Sequence, residues 1–145
     1  MSYSIDTNIL IYAFNRDSDY HGKAVKFIED LSNSSEETWI MPWAITHSFL
    51  RIITHPGILP SPLSPAHAIE AIEQLFALKN VIPAGETDDF WPVYKKEFLS
   101  LPARGNSVPD TQILSILKIN GVKKFYSKDK DFLRFESIRV IDPFK

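Results

Sequence analysis

Cysteine does not occur anywhere in the 145 residues of this chain. Disulfide bonds, zinc sites built on thiolates and a cysteine nucleophile are therefore excluded, and nothing indicates an oxidising compartment. Long hydrophobic runs are also missing, because no apolar stretch approaches the roughly 18 residues that a membrane helix needs. The first residues lack the basic segment and apolar stretch of a secretion signal. We expect a cytoplasmic protein with no membrane partner.

Positive charge and glycine are in short supply as well. The chain has 16 lysines and arginines against 18 aspartates and glutamates, which leaves a formal net charge of −2. Such a protein has no overall cationic field to attract nucleic acid, so a polyanionic substrate must be held locally. None of the five glycines lies in a GxGxxG or Walker pattern. This absence disfavours a nucleotide-binding or receiver domain.

The remaining composition is that of a globular protein. Hydrophobic residues make up 44% of the chain and charged residues 23%, a balance that excludes a wholly disordered chain. No internal repeat, low-complexity tract or change of composition marks a linker. One hydrophobic core is the default at this length, so we predict that residues 1–145 form a single domain.

Short β-type segments alternate with amphipathic helices along the chain. Strands are predicted at residues 3–5, 38–41, 81–82, 124–127 and 138–141. Between them, apolar residues follow the 3.6-residue helical period. This alternation predicts an α/β fold with a central short parallel sheet flanked by helices on both faces. In such folds ligands bind beyond the carboxyl ends of the strands.

Acidic residues are predicted to meet at that edge of the sheet. Asp6 and Asp129 each follow a predicted strand. Asp110 begins the most regular helix, where Leu114 and Leu117 lie on its helical face, so its carboxylate is aimed inward. The three aspartates are far apart in sequence, but the predicted topology brings them to one site.

Each acid also has an ordinary structural explanation. Asp6 is placed to cap the following helix, and Asp110 adds a favourable charge to a helix N-terminus. Asp129 and its neighbour Asp131 suit a turn. Gathered at one edge, however, unpaired carboxylates repel one another and raise each other's pKa. A cation relieves this, and oxygen ligands without cysteine suit Mg²⁺ or Mn²⁺. Hydrolysis of a phosphodiester by a metal-activated water is the predicted reaction.

Five groups of residues carry a resemblance to a known family. They are Ile5-Asp6-Thr7-Asn8; Pro42-Trp43; Phe49-Leu50-Arg51 with Thr54-His55-Pro56; Arg104-Gly105-Asn106 with Val108-Pro109-Asp110; and Ser127-Lys128-Asp129-Lys130-Asp131-Phe132. The pattern resembles the PIN-domain ribonucleases, specifically the VapC toxins of bacterial toxin–antitoxin pairs. It spans the chain from Ile5 to Pro143, and the ordered set is far more specific than any single segment.

The resemblance implies a PIN-like fold and a Mg²⁺- or Mn²⁺-dependent endoribonuclease. Such an enzyme cuts cellular RNA, often a structured RNA such as tRNA, and slows growth. The family's metal-binding and catalytic acids fall on Asp6, Asp110 and Asp129, with Asp131 as an additional nearby carboxylate. A small VapB-like antitoxin would inhibit the enzyme by inserting a segment toward the active site, and homodimers are usual in the family.

Position 48 departs from the family pattern. A glutamate one residue before Phe49-Leu50-Arg51 would be the family's second acid, but this chain has Ser48. Ile45 and Ile52 flank it at three and four residues, so the side chain is predicted to point inward. Because a hydroxyl brings no charge to a metal, we expect reduced activity. Three explanations stay open: a weakened enzyme, an inactive domain that binds an antitoxin or RNA without cleaving, and compensation by Asp131 or another carboxylate.

Further residues are candidates for supporting roles. Asn8 and Ser127 are placed to orient carboxylates or waters, with ordinary capping as the alternative. Arg104 either contacts an RNA phosphate or an acidic antitoxin group through its planar fork, or is a surface arginine without such a task. Aromatic residues that suggest base stacking are interpreted mostly as core: Trp39, Trp43, Phe90, Trp91, Tyr94 and Phe98.

Overall fold

The computed structural model describes residues 1–34, 36–101 and 103–145. Within these residues the chain forms five strands, six α-helices and one 3-10 helix. The strands are β1 (Ser2–Ile5), β2 (Thr38–Pro42), β3 (Val81–Ala84), β4 (Lys124–Tyr126) and β5 (Arg139–Ile141). The helices are α1 (Thr7–Phe14), α2 (His21–Ser34), α3 (Trp43–Ile53), α4 (Pro65–Phe76), α5 (Phe90–Ser100) and α6 (Ser107–Ile119), and the 3-10 helix spans Lys130–Arg134. None of the described helices is long and apolar enough to cross a membrane.

All five strands are parallel and form one sheet in the order β3-β2-β1-β4-β5. The predicted α/β class with a short parallel sheet is therefore confirmed. Each predicted strand coincides with an observed strand to within two residues at either end. Pro83, which has no N–H to donate to a neighbouring strand, lies on the edge strand β3, where proline is tolerated.

The order of the strands explains where the helices lie. The chain moves outward from β1 to β3 and then returns across the sheet to β4 and β5. Because parallel crossovers are right-handed, α1 to α4 cover one face and α5 and α6 the other. Accordingly, α1 packs on α2 and α3, whereas α5 packs on α6.

The reversal of direction falls between β1 and β4. Doubly wound folds bind their ligands at such a switch point, beyond the carboxyl ends of the strands. Ile5 pairs with Tyr126 at the ends of these two strands, and the Asp6 N–H donates to the Tyr126 carbonyl at 2.9 Å. The residues that follow the two strands, Asp6 and Ser127, are thus held side by side.

One core lies beneath this edge. Tyr3, Trp39 and Phe125 come from three neighbouring strands and are 1%, 0% and 0% exposed. The rings of Tyr3 and Trp39 stack with 6.1 Å between their centroids. Aromatic side chains of this size bury large apolar surfaces and dominate core energetics, so the central strands are fixed relative to one another.

Helix α6 presents Asp110 to the switch point. Leu114 and Leu117, on the same helical face as Asp110, have no exposed surface, as the periodicity predicts. The Ser115 hydroxyl is buried but donates to the Thr111 carbonyl at 2.8 Å, so its burial leaves no unsatisfied donor. The helix ends before Gly121, whose φ of +70° favours glycine.

Replacing Leu114 with alanine should lower the free energy of unfolding by about 2–5 kcal/mol, because the change leaves a cavity under α6. Urea denaturation measures this loss. The matched control is Ile69→Ala, whose side chain is 49% exposed and whose loss should cost about 0.5 kcal/mol or less. Equal effects of the two substitutions would contradict the packing described for α6.

Candidate metal centre

Three carboxylates converge beyond the ends of β1 and β4. Asp110 in the first turn of α6, Asp129 after β4 and Asp131 in the 3-10 helix each place an oxygen within 4.8 Å of the other two. Asp110 and Asp129 are half-buried, and Asp131 is exposed. The structure therefore brings together two of the three main predicted acids and the additional carboxylate Asp131.

Asp6 joins this cluster through a hydroxyl. Its side chain is buried, with 6% exposure, and its Oδ1 accepts the Thr7 N–H at 2.7 Å. The Ser127 hydroxyl donates to Asp6 Oδ2 at 2.6 Å and accepts the Asp129 N–H at 2.9 Å. Asp6 therefore caps α1, which is the ordinary structural role considered for it from the sequence. It is also linked to the segment that carries Asp129.

Asp129 is held in place by a hydrogen bond to its side chain and by the packing of the segment that carries it. Its Oδ1 accepts the Asp131 N–H at 2.9 Å, so it caps the 3-10 helix as a turn aspartate does. Phe132, inside that helix, is 2% exposed and meets Phe125 edge-to-face with 4.9 Å between centroids. The charged segment that carries Asp129 and Asp131 is therefore anchored to the core.

The crowding of acids changes their titration. Burial raises the pKa of Asp6 to about 6 and the charge of Asp129 adds to the rise, while hydrogen bonds from Ser127 and Thr7 oppose it. Burial is also the main cause that raises the pKa of Asp110 to about 6, followed by the charges of Asp129 and Asp6. Both groups carry an unfavourable negative charge at neutral pH.

Positive charge at the centre is too scarce to balance the acids. Of the charges that act on Asp110, those of Asp129, Asp6 and Asp131 are negative, and that of Arg134 is positive. Lys128 is turned toward Asp142, with 3.5 Å between Nζ and Oδ2. The residues present therefore fit a divalent cation, since every donor is a hard carboxylate oxygen, the ligand type that Mg²⁺ and Mn²⁺ prefer.

The other predicted residues take different positions. Ser127 is buried and contacts the carboxylates, whereas Asn8 is exposed on α1. The Arg104 side chain is exposed, and its backbone N–H donates to the Ser107 hydroxyl at 2.8 Å. Ser48 is half-buried and lines a cavity between α3 and α6.

Two features of the site were missed from the sequence. Arg134 acts on Asp110, and its Nε and Nη2 atoms are buried without a hydrogen-bond partner among the described residues. Arg134 follows Asp131 by three residues, which is one turn of a 3-10 helix and places the two side chains on one face. The sequence gives no sign of this 3-10 helix, so the spacing alone does not identify Arg134. The interpretation of the aromatics mostly as core holds for Trp39. It holds only in part for the ring contacts along α5, where the side chains are half-buried: Phe90, Tyr94 and Phe98. It is wrong for Trp43 and Trp91, which are 52% and 64% exposed.

Known proteins resemble this chain in sequence and in fold. The family described as PIN domain matches residues 3–137. The chain belongs to the PIN-domain family. This PIN domain is 36% identical to ribonuclease VapC48 of Mycobacterium tuberculosis over 144 residues, which cover 99% of both chains. The predicted membership of the VapC toxin family is confirmed.

Two solved structures share the fold of this PIN domain. One is VapBC2 from Rickettsia felis bound to a DNA fragment from its promoter, with a TM-score of 0.70, 15% identity and coverage of 97% of this chain and 98% of the other. The second is Mycobacterium tuberculosis VapC20, a toxin that cleaves the sarcin–ricin loop, with a TM-score of 0.69, 15% identity and coverage of 95% and 98%. The PIN-like fold is therefore confirmed.

Replacing Asp110 with asparagine should stabilise the metal-free protein at about pH 7.5 but not at about pH 4. An unfolded aspartate has a pKa of about 3.9, and Asp110 has a pKa of about 6 in the fold. The folded state thus binds more protons between these values, and stability is lost as pH rises through them.

Thermal unfolding in EDTA at both pH values measures this effect. Asp88→Asn is the matched control, because Asp88 is exposed and should show no such gain. A gain for Asp110→Asn that is the same at both pH values would contradict the crowding of charge at the centre.

Proposed function

We propose that this PIN domain is a metal-dependent endoribonuclease, the toxin of a toxin–antitoxin pair, that hydrolyses RNA phosphodiesters at Asp6, Asp110 and Asp129. The convergence of Asp110, Asp129 and Asp131 within 4.8 Å carries the proposal. Carboxylates this close serve as ligands for Mg²⁺ or Mn²⁺, which leave positions for phosphate oxygens and water.

The chain's own residues prepare the site for this reaction. Asp110, Asp129 and Asp131 would hold the cation, and Asp6 would complete the negative charge around it. A divalent cation, when bound, neutralises charge on the phosphate and lowers the pKa of the attacking water. Ser127 holds Asp6 and Asp129 next to each other by its two hydrogen bonds. Residues that orient metal ligands in this way commonly influence metal affinity.

RNA is the substrate that the relatives suggest. The curated relative is named a ribonuclease, and one structural neighbour cleaves a structured RNA loop. We propose a structured cellular RNA as the substrate and the cytoplasm as the compartment of the reaction.

A VapB-like antitoxin would inhibit the enzyme, as the VapBC neighbour suggests, and the active form would be a homodimer. The exposed Arg104 is available for an RNA phosphate or an acidic antitoxin group.

A second candidate function rests on Ser48. The side chain is half-buried and faces α6 across a cavity, in the position where the family pattern has glutamate. Without that charge, metal affinity falls, and in the limit the domain binds an antitoxin or RNA without cleaving. The carboxylate of Asp131 lies within the cluster. It would replace the negative charge that is absent at position 48, which favours an active ribonuclease.

Replacing Asp129 with asparagine should reduce metal-dependent RNA cleavage by about 100-fold or more, since loss of an outer partner alone costs about 10–100-fold. Asparagine retains the oxygen that accepts the Asp131 N–H, so the fold should be preserved. Cleavage of a structured RNA in Mg²⁺ or Mn²⁺ is the measurement, with Asp88→Asn as the control. Cleavage that survives in Asp129→Asn would refute this assignment, and absence of cleavage in the unmodified protein would favour the inactive domain.

Restoring the family acid by Ser48→Glu should tighten metal binding on the order of tenfold and raise cleavage, because ligand charge determines affinity at oxygen sites. Ser48→Gln is the matched control, since it adds the same volume without the charge. Titration of Mn²⁺, followed by thermal stability and by RNA cleavage, measures both effects. Equal behaviour of the two variants would show that the charge at position 48 does not limit activity.

A further inference from the structure

A cavity of about 410 Å³ opens beside the start of α6, the helix that carries Asp110. It lies between α3, α6 and the segment after β3, and its walls include Trp43, His47, Ser48, Glu86, Gln112 and Ile113. The volume falls within the range of roughly 300–1,000 Å³ that is usual for small-ligand sites. The functions proposed above use only Ser48 of this wall, and none of them assigns a ligand to the cavity itself.

The cavity and the metal centre both use residues from the start of α6. Ile113, which lines it, lies one helical turn after Asp110 on α6, a spacing at which Cβ atoms are about 5–6 Å apart. Pro109, also in the wall, directly precedes Asp110. A nucleotide whose phosphate reached the carboxylates would therefore have its neighbouring ribose and base close to this cavity.

Trp43 provides an exposed but fixed aromatic surface. Its side chain is 52% exposed, and Phe76 meets its ring edge-to-face, with 5.8 Å between centroids and 79° between planes. At Gly85 an added Cβ would lie 3.1 Å from the indole Cδ1, so the absence of a side chain lets the backbone lie against the ring. A ring held in this way can stack on a base without losing much conformational freedom.

The polar edge of the cavity favours a base over a phosphate. The Gln112 amide donates from Nε2 to Glu86 Oε1 at 3.1 Å, which leaves the Gln112 carbonyl oxygen and the Glu86 carboxylate as acceptors. A carboxylate repels a phosphate but accepts the ring N–H and amino groups of a nucleobase. Guanine presents both kinds of donor on one edge, whereas uracil has no amino group.

We propose that this cavity binds one unpaired nucleobase of the RNA, next to the phosphate held at the carboxylates. The base stacks on Trp43, and its amino edge faces Glu86 and Gln112. This inference rests on the proposed function, because it takes the ligand to be RNA. Stacking would also add affinity for RNA that does not depend on positive charge. This matters because a protein with a net charge of −2 gains little affinity from release of counterions.

The test measures RNA binding without cleavage. The probes are fluorescent oligouridine and the same oligomer with a single central guanosine, and fluorescence anisotropy in Ca²⁺ gives their affinities for the unmodified protein, with RNA integrity checked on a gel. We expect guanosine to tighten binding several-fold. Trp43→Ala should weaken binding of the guanosine oligomer about tenfold, whereas Glu86→Gln should remove only the preference for guanosine.

Trp91→Ala is the matched control, because Trp91 is 64% exposed but packs on Tyr94 and is not part of the cavity wall. Both tryptophans are exposed, and circular dichroism verifies that the variants fold. Equal affinities of Trp43→Ala and Trp91→Ala for the guanosine oligomer, or a guanosine preference that is unchanged in Glu86→Gln, would overturn the proposal. A separate assay of cleavage in Mg²⁺ reports on the proposed function, so an inactive protein that still shows the predicted pattern of binding would retain the base site.

Discussion

The Ser127 hydroxyl is the contact on which the geometry of the site depends. It donates to Asp6 Oδ2 and accepts the Asp129 N–H, and so joins the residues that follow β1 and β4. These strands are adjacent because the chain reverses direction between them, which is where a doubly wound sheet leaves an opening. A buried hydroxyl with both partners satisfied holds two acidic segments that would otherwise repel one another.

The same crowding gives the site its chemistry. Burial and neighbouring charge raise the pKa values of Asp6 and Asp110 to about 6, and Arg134 opposes the rise at Asp110. The apo centre is therefore electrostatically unfavourable at neutral pH, and a divalent cation removes this cost. On the proposed function, binding of the cation would therefore also stabilise the folded protein.

Ser48 belongs to both proposals made for this protein, the metal centre and the base site. It occupies the position at which the family pattern has an acid, and its side chain lines the cavity beside α6 together with Trp43 and Gln112. A hydroxyl there would bring no charge to a cation, unlike a carboxylate, and it leaves more room in the cavity. On these two proposals, a single position of α3 would influence both metal affinity and the space for a base.

Local rules in the sequence determined the elements and the candidate acids. The alternation of strands and helices is such a short-range signal, and it agrees with the fold. The inward face of α6 was equally visible, because helical periodicity places Asp110 above Leu114 and Leu117. What only the tertiary structure decided depends on distances between segments far apart in the chain: the hydroxyl bridge of Ser127, the place of Asp131 in the cluster and the exposure of Trp43. Such contacts arise from the packing of the whole sheet, which no local pattern contains.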